Sequence, residues 1–335
     1  MNRVWRVASV LLLVCGSRGG WAAPYDDIIA FGDSLTEVGN VAGVTRAGHP
    51  PRISGYYPQT GNDPKTHFCD NIIWIEHLAA YWSLPARTPG RGDLTSQPPR
   101  YAGNTWAWGG SEAGAGMVQP PGVTEPVPNL ALQILTYLSH HEPGQNTLYI
   151  LWSGANNLLV GGKVGPSAAA SAADAVNRAM QTLEAAGARQ LLVLTMPELG
   201  DTPRAQAGGL AREAAATEFA VVYNTTLKVG IDQLRRDPLF DAKIFEVDIY
   251  NELKLVFDTV KTGQPYQPDF FVPGLPVTIT NVTDQGLEFF QAGGKMPAGY
   301  LFWDDLHPTS EGHRLIAGLV IRTVAESQSS GSQSP

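Results

Sequence analysis

The stretch Ile28–Thr36, IIAFGDSLT, decides the fold of this chain. Its first four residues, up to Phe31, are all apolar, which is typical of a strand that is buried on both faces. The apolar run ends at Gly32, and Ser34 follows two residues later. A serine in this place either caps the helix that follows or is a nucleophile held at the end of a strand. The remainder of the sequence decides between these interpretations.

Apolar runs of this kind recur along the chain and alternate with segments of helical period. The runs cover residues 28–31, 147–152, 190–195 and 243–249, and the helical segments cover 72–82, 130–138, 167–186, 210–234 and 310–325. Strands and helices that alternate in this way predict a parallel sheet covered by helices on both faces. We therefore predict a three-layer α/β/α fold of the flavodoxin-like type, in which ligands bind at the carboxyl ends of the strands.

Two segments interrupt this alternation. Residues 85–127 are rich in proline and glycine, and residues 258–300 carry the pairs Phe270-Phe271 and Phe289-Phe290 among further glycines and prolines. Long irregular segments in a compact domain often line functional sites. We expect these two segments to form the rim of the ligand site.

The amino terminus has the pattern of a secretory signal peptide over residues 1–22. Arg3 and Arg6 precede a short apolar run, and small residues precede a cut after Ala22. The apolar run is too short to span a bilayer. A lipoprotein signal at Cys15 is the alternative, although the valine before that cysteine matches such a signal poorly.

The predicted organisation is therefore a signal peptide at 1–22, one domain at 23–326 and a disordered tail at 327–335, which is rich in serine and glycine. The protein is expected to be secreted or periplasmic. Its length of 335 residues and hydrophobic content of 43% allow a sizeable core.

Charge and cysteine content exclude several classes of function. Loss of residues 1–22 removes three arginines and no acidic residue, which moves the formal net charge from −8 to −11. An acidic protein is poorly suited to binding nucleic acid or anionic lipid, so we expect no nucleic-acid binding. No stretch after the signal peptide is apolar enough to cross a membrane, so we expect no stable membrane insertion. Only Cys69 then remains, so neither an intrachain disulfide nor a cysteine-rich metal site is expected.

A second polar motif lies near the other end of the chain, in YLFWDDLHPTSEGHRLIAG. Asp304 and His307 are three residues apart. In a tight turn this spacing lets the carboxylate reach the imidazole Nδ1–H, which is how the base that activates a serine is oriented. The neighbouring Asp305 is a second candidate for the acid, and an ordinary acidic helix start is the alternative interpretation. Without a His-x-x-x-His pair, the motif predicts no metal and no cofactor.

Two further motifs place polar or small groups after apolar stretches. Asn156 follows the strand at 147–152, and an asparagine amide there can donate to a developing oxyanion. The pair Gly109-Gly110 follows Trp106 and Trp108 and lets the backbone approach a ligand closely. Taken singly, each motif also fits an ordinary turn or loop.

Taken in order, the serine, glycine, asparagine and Asp-x-x-His motifs resemble the four blocks of the GDSL lipase/esterase family, the SGNH hydrolases. The resemblance implies that Ser34 in FGDSL is the nucleophile and that Asp304 and His307 complete a catalytic triad. It also implies an oxyanion hole made by the N–H groups of Ser34 and Gly110 and by the amide of Asn156.

The resemblance extends over about residues 27–325. FCDNIIWIEHLA, LTMPELGDTP, FAVVYNTTL and FWDDLHPTSEGHRLIA are similar to the plant-type and secreted bacterial branch of the family. The serine lies near the mature amino terminus and outside a Gly-x-Ser-x-Gly elbow, which argues against an α/β-hydrolase. One departure is Asn157, which stands where the family usually has aspartate.

The predicted activity is metal-independent hydrolysis of carboxylic esters through an acyl-enzyme, with a preference for short- to medium-chain acyl groups. The substrate would be a small-molecule or lipid ester. The enzymatic alternatives are a phospholipase or lysophospholipase and a glycerophospholipid acyltransferase. A catalytically inactive carbohydrate- or lipid-binding protein is the non-enzymatic alternative.

Overall fold

The computed structural model describes residues 23–41, 67–90, 101–121, 123, 125–284 and 296–331. The predicted signal peptide and the pair Phe289-Phe290 lie outside these residues. The strands are β1 (Asp27–Gly32), β2 (Met117–Val118), β3 (Val127–Pro128), β4 (Thr147–Trp152), β5 (Gln190–Leu194) and β6 (Lys243–Val247). The helices are α1 (Trp74–Tyr81), α2 (Leu130–Leu138), α3 (Ala155–Leu159), α4 (Pro166–Ala185), α5 (Pro203–Gln206), α6 (Leu210–Arg236), α7 (Ile249–Lys261) and α8 (Ser310–Gly331).

The central sheet is parallel and has the strand order β1-β4-β5-β6. On the free side of β1, the segment around Thr105 runs parallel to Ala30. The Ala30 N–H donates to the Asn104 carbonyl at 3.1 Å, and the Trp106 N–H donates to the Ala30 carbonyl at 2.7 Å. Counted along the chain, β1 is the first parallel segment, the segment around Thr105 is the second, and β4, β5 and β6 are the third, fourth and fifth. The spatial order in the sheet is then 2-1-3-4-5. That is the flavodoxin-like order, so the predicted fold class is confirmed.

Both faces of the sheet are buried beneath helices, which makes the three layers. Ile28 and Ala30 of β1 belong to the core shared with α1, α7 and α8. Ile29 and Phe31 point to the opposite face and pack in the core shared with α2, α4 and α6. Because successive side chains of a strand alternate between faces, a strand covered on both sides is apolar throughout.

Three expectations, about the end of a strand, the irregular segment from residue 258 and the terminal segment, are wrong in part. The strand predicted at 243–249 ends at Val247, and Asp248 caps α7 by accepting the Asn251 N–H at 3.0 Å. Helix α7 was not predicted, and it occupies the start of the segment expected to be irregular from residue 258. Helix α8 runs to Gly331, so residues 327–331 are helical rather than disordered.

No helix within the described ranges is long and apolar enough to cross a bilayer.

Candidate active site

Gly32 is required where β1 leaves the core. Its φ angle is +149°, and a Cβ atom there would lie 2.1 Å from the Trp152 carbonyl oxygen. No other residue fits so close to the neighbouring strand. The chain then turns at once, because the N–H groups of Thr36 and Glu37 both donate to the Asp33 carbonyl. Ser34 is therefore presented at the carboxyl edge of the sheet.

The position of this edge follows from the strand order. Adjacent strands β1 and β4 have their onward connections on opposite sides of the sheet, and such a switch point leaves a crevice at the strand ends. Ser34 follows β1 and Asn156 follows β4, so both reach the crevice. The loop that carries Asp304 and His307 approaches the same place from the far end of the chain.

Three side chains form one hydrogen-bonded chain. Ser34 Oγ lies 2.9 Å from His307 Nε2, and His307 Nδ1 lies 2.7 Å from Asp304 Oδ2. Because a carboxylate accepts the Nδ1–H, the Nε2 atom is left with a lone pair that faces the serine hydroxyl. The sequence prediction of a serine, a histidine and an aspartate in contact agrees with this geometry.

Asp304 is held as a carboxylate. Its burial opposes ionisation, but the charge of His307 and the hydrogen bonds that it receives outweigh the burial and lower its pKa below the ordinary value. The other oxygen, Oδ1, accepts the N–H groups of Leu306 at 2.7 Å and of His307 at 2.5 Å. This tight turn is the local structure that the three-residue spacing predicted.

The glycine motif lies beside Ser34 because it continues the segment paired with β1. The Trp108 N–H donates to the Gly32 carbonyl at 3.1 Å, and Gly110 then adopts a φ angle of +80°. Among the residues that the structure describes, the N–H groups of Ser34 and Gly110 have no acceptor. Two backbone donors are thus available at this edge.

The two asparagines of α3 have different partners. Asn156 Nδ2 donates one hydrogen to the Ser111 carbonyl at 3.0 Å, which orients the amide and leaves its second hydrogen for a ligand. Asn157 binds the backbone of Ala113 twice, accepting its N–H at 2.9 Å and donating to its carbonyl at 3.1 Å. An aspartate could accept in this way but could not donate, so Asn157 holds the loop by a pair of bonds that the usual family residue cannot make.

Sequence reasoning missed the residues that support the site from behind. Gln133 of α2 accepts the Gly32 N–H and donates to the Gly32 carbonyl, each at 2.9 Å, and it also donates to Ser111 Oγ at 2.9 Å. It therefore ties the end of β1 to the glycine loop. A glutamine on the apolar face of LALQILTYL was the available signal, since a buried amide needs partners.

Glu37 and Phe68 were missed in the same way. Glu37 is fully buried, and Oε2 accepts the Gly109 N–H while Oε1 accepts the Val41 N–H, each at 2.5 Å. Burial raises the pKa of Glu37 to about 8, against the opposing effect of these bonds. Phe68 stacks on the imidazole of His307, with the ring centroids 5.0 Å apart. Glu37 restrains the glycine loop beside Ser34, and Phe68 restrains the imidazole that contacts Ser34.

Asp33 is a further buried acid at this edge. Burial raises its pKa to about 6, while a hydrogen bond from Leu35 and the charge of His307 oppose the rise. Elsewhere within the described ranges, no group of three or more histidine, cysteine, aspartate or glutamate side chains has the geometry to hold a metal ion.

The profile of the GDSL-like Lipase/Acylhydrolase family matches residues 28–320. The chain belongs to this family. The match runs from β1 into α8, and so it contains both Ser34 and the turn with Asp304 and His307.

Three relatives of this GDSL family member are informative. A phosphatidylcholine-sterol acyltransferase of Aeromonas hydrophila is 25% identical over 67% of this chain and 59% of its own length. A thermolabile hemolysin of Vibrio parahaemolyticus is 23% identical over 87% of this chain and 62% of its own length. The GDSL esterase/lipase EXL2 of Arabidopsis thaliana is 24% identical over 87% of this chain and 86% of its own length. The chain thus spans only about three fifths of the two bacterial relatives.

Proposed function

We propose that this GDSL acylhydrolase is a secreted serine esterase that hydrolyses short- to medium-chain carboxylic esters through an acyl-enzyme. One observation carries the proposal: Ser34 Oγ, His307 and Asp304 are connected by hydrogen bonds of 2.9 and 2.7 Å at the carboxyl edge of the sheet. Secretion is supported by the signal-peptide pattern at residues 1–22.

In the first half-reaction, His307 Nε2 takes the proton of Ser34 as its Oγ attacks the acyl carbonyl carbon. The negative charge that forms on the carbonyl oxygen is stabilised by the N–H groups of Ser34 and Gly110 and by the free hydrogen of the Asn156 amide. His307 then gives its proton to the leaving alcohol oxygen, and an ester of Ser34 remains.

In the second half-reaction, His307 takes a proton from water, which attacks the acyl-enzyme. The bond from the acyl carbon to Ser34 Oγ then breaks, His307 returns the proton to that oxygen, and the acid is released. Asp304 keeps the imidazole in one tautomer and stabilises its protonated form in both halves. The reaction needs no metal, since the backbone and amide donors supply the positive potential at the carbonyl oxygen.

A second candidate activity is transfer of the acyl group to an alcohol other than water. It is supported by the likeness to a protein named phosphatidylcholine-sterol acyltransferase and by the apolar crevice beside Ser34, which is unfavourable for water. The two activities share the acyl-enzyme and differ only in the acceptor.

The test is a panel of p-nitrophenyl esters from acetate to palmitate, run beside phosphatidylcholine and a choline ester, with and without an added alcohol. Ser34→Ala should reduce turnover by about 10⁶-fold while leaving the thermal melting temperature unchanged. Release of free acid in the presence of alcohol marks a hydrolase, and formation of the new ester marks a transferase. Near-normal activity of Ser34→Ala would overturn both activities.

A further inference from the structure

An apolar crevice extends inward from Ser34 and His307. Its deeper lining comes from elements far apart in the sequence: Trp152 at the end of β4, Leu253 and Phe257 of α7, Phe302 before the Asp-x-x-His turn, and Ile316 of α8. All of these side chains are buried members of one core cluster. The crevice therefore begins at the reacting serine and ends against the hydrophobic core.

Two polar residues along the crevice, Glu198 and Thr202, make hydrogen bonds to neighbouring groups. Glu198 Oε1 accepts the Gly200 N–H and the Thr217 hydroxyl, both at 2.7 Å. Thr202 donates its hydroxyl hydrogen to the Leu199 carbonyl at 2.6 Å. The exposed surface of the crevice is almost entirely carbon, and its polar end carries Ser34 and His307 together with Asp33 and Asn156.

The far wall is fixed in place by its own contacts. The rings of Phe257 and Phe302 are stacked with centroids 5.9 Å apart and an interplanar angle of 21°. The indole Nε1–H of Trp152 donates to the Thr195 carbonyl at 3.1 Å, which holds the ring in one orientation. Displacing these packed aromatic rings costs free energy, because protein interiors are close-packed.

We propose that this crevice binds the acyl chain of the substrate and that Phe257 and Phe302 limit its length. The proposal rests on the proposed esterase function, because it places the acyl carbonyl at Ser34. With the acyl chain assigned to the crevice, the leaving alcohol lies on the solvent side of Ser34, where His307 Nε2 can protonate it. Leu253 lines the same crevice from α7 and is the position where added bulk would fill it.

The substrate class is then an ester of an uncharged acid with an apolar chain, with discrimination exerted on the acyl side. Each methylene that enters the crevice should raise kcat/KM by about fourfold, which is the factor that corresponds to the free energy of its transfer out of water. The rise should stop abruptly at the chain length that meets the aromatic wall.

The experiment compares kcat/KM for p-nitrophenyl esters from acetate to dodecanoate in the wild type and in variants of the wall. Phe257→Ala should raise the ratio of octanoate to butyrate activity by about tenfold, because two or more additional methylenes then find space. Leu253→Trp should lower the same ratio by about tenfold. Leu255→Ala is the matched control, since Leu255 lies on the same helix and is 53% exposed.

A second series separates the acyl side from the alcohol side. Acetate esters of alcohols of increasing length should give the same relative activities in the wild type and in Leu253→Trp. If Phe257→Ala does not fold, Phe257→Leu supplies the smaller enlargement and should shift the optimum in the same direction.

Unchanged acyl-length ratios in folded, active variants would overturn the crevice assignment alone. A change in the alcohol series that matches the change in the acyl series would also overturn it. Absence of any Ser34-dependent ester turnover in the wild type would overturn the proposed function and this assignment together, so the two failures are distinguishable.

Discussion

Asp305 makes a two-point ion pair with Arg204. Its Oδ1 lies 2.6 Å from Nη2 and its Oδ2 lies 3.0 Å from Nε, and its carbonyl also accepts the Arg204 N–H at 2.8 Å. Two consecutive acids thus have different basic partners, since Asp304 faces the His307 imidazole and Asp305 faces the Arg204 guanidinium.

This division predicts a large difference between two similar variants. Asp304→Asn should lower kcat by about 10⁴-fold, because an amide in place of the carboxylate favours the wrong imidazole tautomer. Asp305→Asn should change kcat little, since it weakens only a partly exposed ion pair, worth about 0–1 kcal/mol. Steady-state kinetics of both purified variants on one ester test the difference, and equal activities would contradict the assignment.

The two asparagines of α3 should also behave differently. Asn156→Ala should lower kcat by about 10²–10³-fold with little change in KM, as expected for loss of one oxyanion donor. Asn157→Ala should have a much smaller effect on kcat, but it should lower the free energy of unfolding by about 1–3 kcal/mol because buried groups of Ala113 lose their partners.

Kinetics and urea unfolding of both variants separate these two effects. Asn157→Asp is a useful control, because it keeps the acceptor for the Ala113 N–H and loses only the donor to the Ala113 carbonyl. The larger loss of kcat in Asn157→Ala would show that the wrong asparagine has been assigned to the oxyanion.

Glu37 should make the protein less stable as the pH rises. Its pKa is raised by burial from 4.5 to about 8, so between these values the unfolded chain releases a proton that the folded protein retains. Over this interval the wild type should lose about 1.4 kcal/mol of stability per pH unit relative to Glu37→Gln, which does not titrate. Urea unfolding of both proteins from pH 5 to 8 measures the difference, and a constant difference would contradict it.

His313 should make the protein less stable as the pH falls, whereas Glu37 makes it less stable as the pH rises. Its ring is fully buried, and neither nitrogen has a hydrogen-bond partner among the described residues. Burial, followed by the charges of His77, His67 and His307, lowers its pKa well below the ordinary value. The unfolded chain therefore binds a proton below about pH 6.5 that the folded protein does not bind.

The wild type should accordingly lose about 1.4 kcal/mol of stability per pH unit relative to His313→Leu as the pH falls from about 6.5 towards 5. Unfolding free energies of the two proteins at several pH values test this. His77, whose pKa burial lowers to about 4, is present in both proteins and largely cancels from the comparison. Parallel pH curves would show that His313 gains a proton as readily in the folded state as in the unfolded one.

The local pattern of the sequence determined the fold class. Apolar runs such as Thr147–Trp152 predicted strands buried on both faces, and the helical period between them predicted the covering layers. Local chemistry also identified most of the candidate site, because Ser34, Asn156 and the Asp304–His307 turn each follow an abrupt end of an apolar stretch. Their grouping followed from parallel topology, which brings all strand ends to one edge.

Only the tertiary structure decided which partner each polar group has. The spacing favoured Asp304 but left Asp305 open as the acid, and the structure separates them because Asp305 pairs with Arg204, about a hundred residues earlier in the chain. Glu37 and Phe68 have no local pattern that marks them, and the apolar helix face around Gln133 shows only that its amide needs partners. The partners of all three are groups that folding brings near them. Helix α7 has a local signal that sequence reasoning missed, since its buried apolar residues recur at helical spacing, but only the fold shows that Phe257 packs on Phe302. Local spacing determines which residues can turn, cap or pair nearby, whereas long-range packing decides what they touch.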